Sequence, residues 1–151
     1  MKTLKLILVF FFTLSLFPEL LNSQDLNVHF MIGKNKSTVT QKYGKPAHQD
    51  NSDPNMICMF YQDKDDRMTF VSNQEGVFQA ESYKYFNTEK GARNAVDAVI
   101  TGSIAESFTV DTVTINDFTL QKPGVTADLQ MSENKITNKY NVKVTARKST
   151  E

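Results

Sequence analysis

Over residues 136–146 apolar side chains fall on every second position. Ile136 opens the series, Tyr140, Val142, Val144 and Ala146 continue it, and only Asn138 breaks it. The facing set is Thr137, Lys139, Asn141, Lys143, Thr145 and Arg147. A period of two predicts a long strand with one side buried and one side wet. The same period runs through Val125, Ala127, Leu129 and Met131, just after the turn pair Pro123-Gly124. Residues 56–62, 67–72 and 77–86 are apolar or aromatic runs separated by the turn-forming stretches 63–66 and 73–76. They predict three strands of an antiparallel meander. Residues 108–121 predict extended chain, as one bulged strand or two short ones, with Val113 and Ile115 alternating. The polar stretch 47–55 predicts a loop.

Two segments follow a helical period instead. Ala92, Ala95, Val96, Val99 and Ile100 form one apolar stripe, with Arg93, Asn94 and Asp97 opposite. Asn87 or Thr88 caps this helix, Glu89 sits in the first turn where the helix dipole favours negative charge, and Gly102 lies near its end. A shorter helix is predicted over 36–43. Asn35 is its cap, Val39 and Tyr43 share a face, Gly44 takes the left-handed exit and Pro46 stops continuation. The glycines of this stretch lie too far apart for a phosphate-binding loop, which needs G-x-x-x-x-G-K-[ST]. The predicted fold is α+β: an antiparallel sheet of six to seven strands with two helices packed on it, in the order α-βββ-α-βββ(β). Phe60 and Tyr61, like Tyr85 and Phe86, are sequence neighbours and point to opposite sheet faces. Helices on one face alone therefore leave some of these aromatics on the other.

Gly33, Asn35, Val39, Gly44 and Pro46, followed by aromatic strands, resemble the opening of the SmpA/OmlA family. They are similar also to the beta-lactamase-inhibitor-protein-like (BLIP-like) domains. The resemblance covers about 55 of the 151 residues. It implies a small exported module that acts by contact rather than by catalysis. The chain lacks both the lipidation cysteine of the first group and the paired cysteines of the second.

The N-terminus changes the picture of compartment. A basic lead with Lys2 and Lys5 precedes a run, 6–17, that is apolar except for Thr13 and Ser15. Pro18 ends it, and a small residue, Ser23, precedes Gln24. That is the layout of a secretory signal peptide, with cleavage expected near Ser23-Gln24. The run falls short of the roughly 20 apolar residues needed to span a membrane. Expected, therefore, are a leader over 1–23, a single α+β domain over 24–151, a secreted or periplasmic location and no membrane span in the mature chain. Losing the leader removes Lys2, Lys5 and Glu19 and leaves 15 basic against 16 acidic residues. Such a balance gives no expectation of nucleic acid as partner.

Candidate chemistry is sparse. Cys58, the only cysteine, sits in an apolar run and reads as a small buried hydrophobe. A hydrolase built on Cys58 and His48 would need a third group to orient the base. Asp63, Asp65 and Asp66 invite a calcium-loop reading, but counted from Asp63, Met68 and Gln74 stand where its glycine and glutamate belong. No catalytic residue, cofactor or metal is expected. Lys139, Lys143 and Arg147 share a face at four-residue spacing and read as a solvated outer face or edge. Tyr61, Tyr83 and Tyr85 are the candidate binding residues, because tyrosine buries area while keeping a polar tip. The expected role is a non-enzymatic module contacting a protein or peptide of the cell envelope or exterior through a sheet face. The alternative is a carrier holding a small apolar ligand between sheet and helix.

Overall fold

A computed structural model of the chain describes residues 25–64 and 66–150. The expected leader and Asp65 lie outside the described residues. The chain enters through a 3-10 turn, Val28–Met31, and helix α1, Lys36–Tyr43. Four strands follow: β1, His48–Asp50; β2, Ile57–Asp63; β3, Asp66–Asn73; and β4, Gly76–Phe86. Helix α2, Glu89–Ala105, leads to β5, Thr109–Thr114; β6, Asp117–Lys122; β7, Val125–Asn134; and β8, Lys139–Lys148.

Both helices begin where local chemistry places them. The Asn35 side chain accepts from the Thr38 amide at 2.9 Å, and Gly44 leaves α1 with φ 79°. The Thr88 hydroxyl accepts from the Gly91 amide at 3.1 Å. Each cap satisfies an amide that the helix itself leaves unpaired. Gly102 does not end α2. The helix continues to Ala105 and the chain turns at Ser107, with φ 66°. Gly102 instead lies within the helix, beside Asn27 and Phe30 of the entering segment.

All eight strands pair antiparallel, in the order β1-β2-β3-β4-β8-β7-β6-β5. Among the described residues the strand count is thus eight rather than six or seven. One addition is β1, which forms inside the stretch expected to be a loop. It is a three-residue edge strand, polar throughout, whose pairing is supplied by β2. The other is the division of 108–121 into β5 and β6. Each half of the chain is a helix followed by a four-strand meander, and the halves join through β4 and β8. Two residues expected on strands, Ile136 and Ile115, fall at hairpin tips instead. Ile136 is 94% exposed between β7 and β8, where the Asn134 side chain accepts from its amide. Val113 and Ile115 are exposed near the β5–β6 turn.

The helices and the 3-10 turn lie on one face. The turn crosses β4, β8 and β7, and α2 lies against β4, β5, β7 and β8. Under α1, the Tyr43 ring packs on Phe70 with centroids 5.3 Å apart. Sheet register puts Met59, Phe70, Ala80, Ala146, Ala127 and Leu120 in one row across the covered face, all buried. From α2, Ala92, Val96 and Val99 are buried against it, as the stripe predicts. Full burial of a side chain such as Leu, Phe or Met stabilises by about 1.5–3 kcal/mol. The driving force therefore sits on this side of the sheet. Among the described residues no helix is long and apolar enough to cross a membrane.

Candidate functional site

The opposite face of the sheet carries no helix among the described residues. Because side chains alternate along a strand, register fixes which residues share it. One row across its centre runs Gln62, Arg67, Tyr83, Lys143, Gln130 and Asp117. The adjacent row holds His48, Phe60, Thr69, Glu81, Thr145 and Asp128. Tyr85 lies beyond Tyr83 on β4, at the end where the β2–β3 and β7–β8 hairpins turn.

Tyr83 and Tyr85 are therefore on the open face, both half-buried. Tyr61 is not. It points the other way along β2, is buried beneath α1, and donates its hydroxyl to the Gly44 carbonyl at 3.1 Å. Its ring meets Phe70 edge-on at 5.8 Å. Of the three tyrosines, Tyr61 belongs to the core and is withdrawn as a contact residue. Phe60 takes its place on the open face, 38% exposed, with the His48 ring stacked on it at 5.7 Å.

Tyr83 is the hub of the open face. The Arg67 guanidinium lies 5.6 Å from its ring centroid on one side strand, and the Lys143 ammonium lies 4.9 Å away on the other. Lys143 also pairs with Glu81 at 3.0 Å. The Tyr83 hydroxyl first, and the Glu81 carboxylate after it, hold the Lys143 ammonium above its ordinary pKa. Further along β8, Arg147 faces Asp128 at 3.9 Å. The Lys139, Lys143 and Arg147 stripe is accordingly an outer face and not an edge, since β8 is a central strand between β4 and β7. Two shallow recesses flank the hub. One, about 380 Å³, lies over Arg67, Thr69, Glu81, Tyr83 and Tyr85. The other, about 340 Å³, is bounded by Lys64, Arg67, Tyr85, Asn134, Thr137 and Lys139. Sequence spacing missed the grouping of Arg67 with Lys64, Tyr85 and Thr137, because only strand register brings β3 and the β7–β8 turn together.

Cys58 departs from the buried expectation. It stands on the open face of β2, partly exposed and opposite Asp50. Its sulfur donates weakly to the Met56 carbonyl at 3.8 Å. Partial desolvation and then the Asp50 carboxylate push the thiol pKa up, which disfavours the nucleophilic thiolate. The His48 ring is turned onto Phe60. At the β2–β3 tip, Asp66 is committed to structure: one oxygen accepts from the Tyr85 amide at 3.3 Å and the other faces Lys84 at 3.6 Å. Among the described residues no three His, Cys, Asp or Glu side chains converge as metal ligands would. On the helix side, the recess between α2 and the entering segment is about 200 Å³, bounded by Leu26, Phe86, Ala95 and Val99 with Asp25 and Lys84 at its rim.

No protein-family model matches the chain, and no curated protein matches it. The solved structure of an extracellular protein containing an SCP domain, from Bacillus anthracis str. Ames, is similar at 16% identity with a TM-score of 0.42. The match covers 82% of this chain and 46% of that one, so the chain spans about half the length of the structure it matches. A likeness that loose carries no statement of role.

Proposed function

We propose that the protein is an exported, non-enzymatic interaction module. It contacts a protein or peptide of the cell envelope or exterior through the open face of its sheet, with Tyr83 and Tyr85 at the centre of the contact. The single observation that carries this reading is the one-sidedness of the sheet. The helices all lie on one face of the eight-stranded sheet, while the other presents half-buried aromatics among charged groups. Monomeric domains seldom leave aromatics grouped in the open without a use for them. The capped helix with its Gly-x-Pro exit, similar to SmpA/OmlA and BLIP-like domains, and the signal-like leader favour export and contact. For the carrier alternative, the recess beside α2 is about 200 Å³, below the roughly 300–1,000 Å³ typical of small-molecule pockets.

Replacing Tyr83 and Tyr85 together by alanine tests the reading. Both lie outside the helix-covered core, so the melting temperature should fall by no more than roughly 5 °C. Capture of a defined partner from the source cell's envelope by the immobilised protein should drop at least tenfold. Asp97→Ala, on the exposed side of α2, should leave capture intact. Equal capture by the double variant, or loss with Asp97→Ala instead, would move the contact off this face.

A further inference from the structure

We propose that the free edge of β5 takes up an extended, basic segment of a partner protein as an added antiparallel strand. This surface is independent of the tyrosines, since β5 lies four strands from β4, about 19 Å across the sheet. The sheet ends in β1 and β5, and the two edges differ. β1 has three residues, all polar, a short edge of the kind that resists added strands. β5 has six, and all but Val110 are exposed. Thr109, Val110, Thr112, Val113 and Thr114 are β-branched and favour extended chain. Every second residue of an edge strand turns its N–H and C=O away from the sheet. Among the described residues no backbone group outside the sheet bonds to residues 109–114. Residues 109–112 pair with 118–121 without interruption, so the outer row is regular there. At the register shift that follows, Val113 is 67% exposed, and Ile115 beyond it is 74% exposed. Unpaired backbone beside open aliphatic side chains is what a further extended chain satisfies.

Charge selects the occupant. Residues 106–134, from the end of α2 through β7, hold Glu106, Asp111, Asp117, Asp128 and Glu133 against one base, Lys122. The Lys122 ammonium donates to the Glu106 carbonyl at 2.9 Å. From the adjoining elements, Arg147 faces Asp128 at 3.9 Å. Arg93 of α2 donates to the Ile115 carbonyl at 2.9 Å and pairs with Glu89 at 3.3 Å. Asp111, exposed in the middle of β5, has no ion pair among the described residues. Antiparallel pairing of β5 with β5 of a second copy, centred on the strand, would set the two Asp111 carboxylates opposite or diagonally adjacent. Like charges so placed destabilise the pair. A foreign strand with a lysine or arginine opposite Asp111 and aliphatic residues beside it removes the repulsion and supplies the missing charge.

The test is a titration of the isotopically labelled protein, purified after expression of the full chain, with three end-blocked pentapeptides. They are Thr-Val-Lys-Val-Thr, Thr-Val-Glu-Val-Thr, and the lysine peptide with every backbone nitrogen methylated. The lysine peptide should shift the amide signals of residues 109–114 and leave those of Tyr83 and Tyr85 in place. The glutamate peptide should bind at least about tenfold more weakly. The methylated peptide keeps the charge but has no backbone donors, and it should not bind at this edge. Asp111→Lys, at an exposed position, should reverse the preference between the lysine and glutamate peptides. No shift at 109–114 with millimolar lysine peptide, equal binding of the methylated peptide, or an unaltered preference in Asp111→Lys would each overturn the inference. So would self-association of the free protein that shifts the same amides, which would put a second copy at the edge. None of these readouts involves Tyr83 or Tyr85, so this edge contact and the open-face contact can each fail alone.

Discussion

Lowering the pH from 7 to 4 should destabilise the protein by about 3 kcal/mol, through His29. His29 sits on the 3-10 turn above β4, β7 and β8 and is 1% exposed. Its Nε2 lies 2.9 Å from the Ser103 hydroxyl, whose proton is already donated to the Val99 carbonyl at 2.7 Å. The ring is therefore neutral, Nε2 donates, and Nδ1 has no partner. Phe30 and Phe108 enclose it, with ring centroids at 4.2 and 5.1 Å. Charging the ring there would bury a cation with an unpaired donor. Desolvation accordingly lowers its pKa to about 4, with Asp25 opposing and Lys42 reinforcing more weakly. Between that value and the ordinary 6.5 the unfolded chain binds a proton that the folded chain does not. Stability is fully present above pH 6.5, declines as the pH falls, and levels off near pH 4. Chemical denaturation across this range measures it, and His29→Leu should flatten the slope. A wild-type curve flat from pH 7 to 4, or a slope unchanged by His29→Leu, would contradict the assignment.

Gly76→Ala should cost at least about 3 kcal/mol. Gly76 opens β4 with φ 121°, a conformation that side-chain-bearing residues avoid. A Cβ there would lie 2.9 Å from both the Gly33 and the Lys34 carbonyl oxygens. Those oxygens belong to the segment joining the 3-10 turn to α1, which is held to β4 by two backbone bonds. The Gly33 amide donates to Val77 at 2.7 Å, and the Val77 amide donates to Lys34 at 2.8 Å. The methyl group cannot be accommodated by swinging a flexible side chain, since everything it meets is backbone. Gly124→Ala isolates the conformational part of the cost. It has φ 79° with nothing within 4 Å of the new Cβ, so it should lose only about 1–2 kcal/mol. Equal losses in the two variants, measured by denaturant unfolding, would mean that the entering segment is not clamped as described.

These two sites show where sequence reading reaches and where it stops. Helix α1 was legible to the residue because each end is marked locally: Asn35 caps through the Thr38 amide three positions on, and Gly44 and Pro46 close the other end. The stripe on α2 and the alternation on β8 were legible because burial on one side repeats with the element's own period. Strand β1 was not, since three polar residues become a strand only when β2 lies beside them. Ile136 and Ile115 continue an alternating pattern, yet they sit at hairpin tips, and Val113 stays on β5 but is exposed. Tyr61 failed for a related reason. Residues 56–61 are apolar on both faces, so parity separates Phe60 from Tyr61 but does not say which of them the helices cover. Tyr83 and Tyr85 share the other parity and lie open. The core role of His29 has no local sequence signal, because its partner Ser103 is 74 positions away. The grouping of Arg67 with Tyr83, Tyr85 and Thr137 depends on register across three strand pairs. No local spacing encodes that.

The two faces of this sheet are physically different: one is sealed by helices, the other is open. Hydroxyl-radical footprinting of the purified protein, read residue by residue by mass spectrometry, tests it most directly. Phe60, Tyr83 and Tyr85 should be oxidised readily, while Tyr61, Phe70 and Met59 stay protected until the protein unfolds. Oxidation of Tyr61 and Met59 in the native protein at rates matching Tyr85 would contradict it.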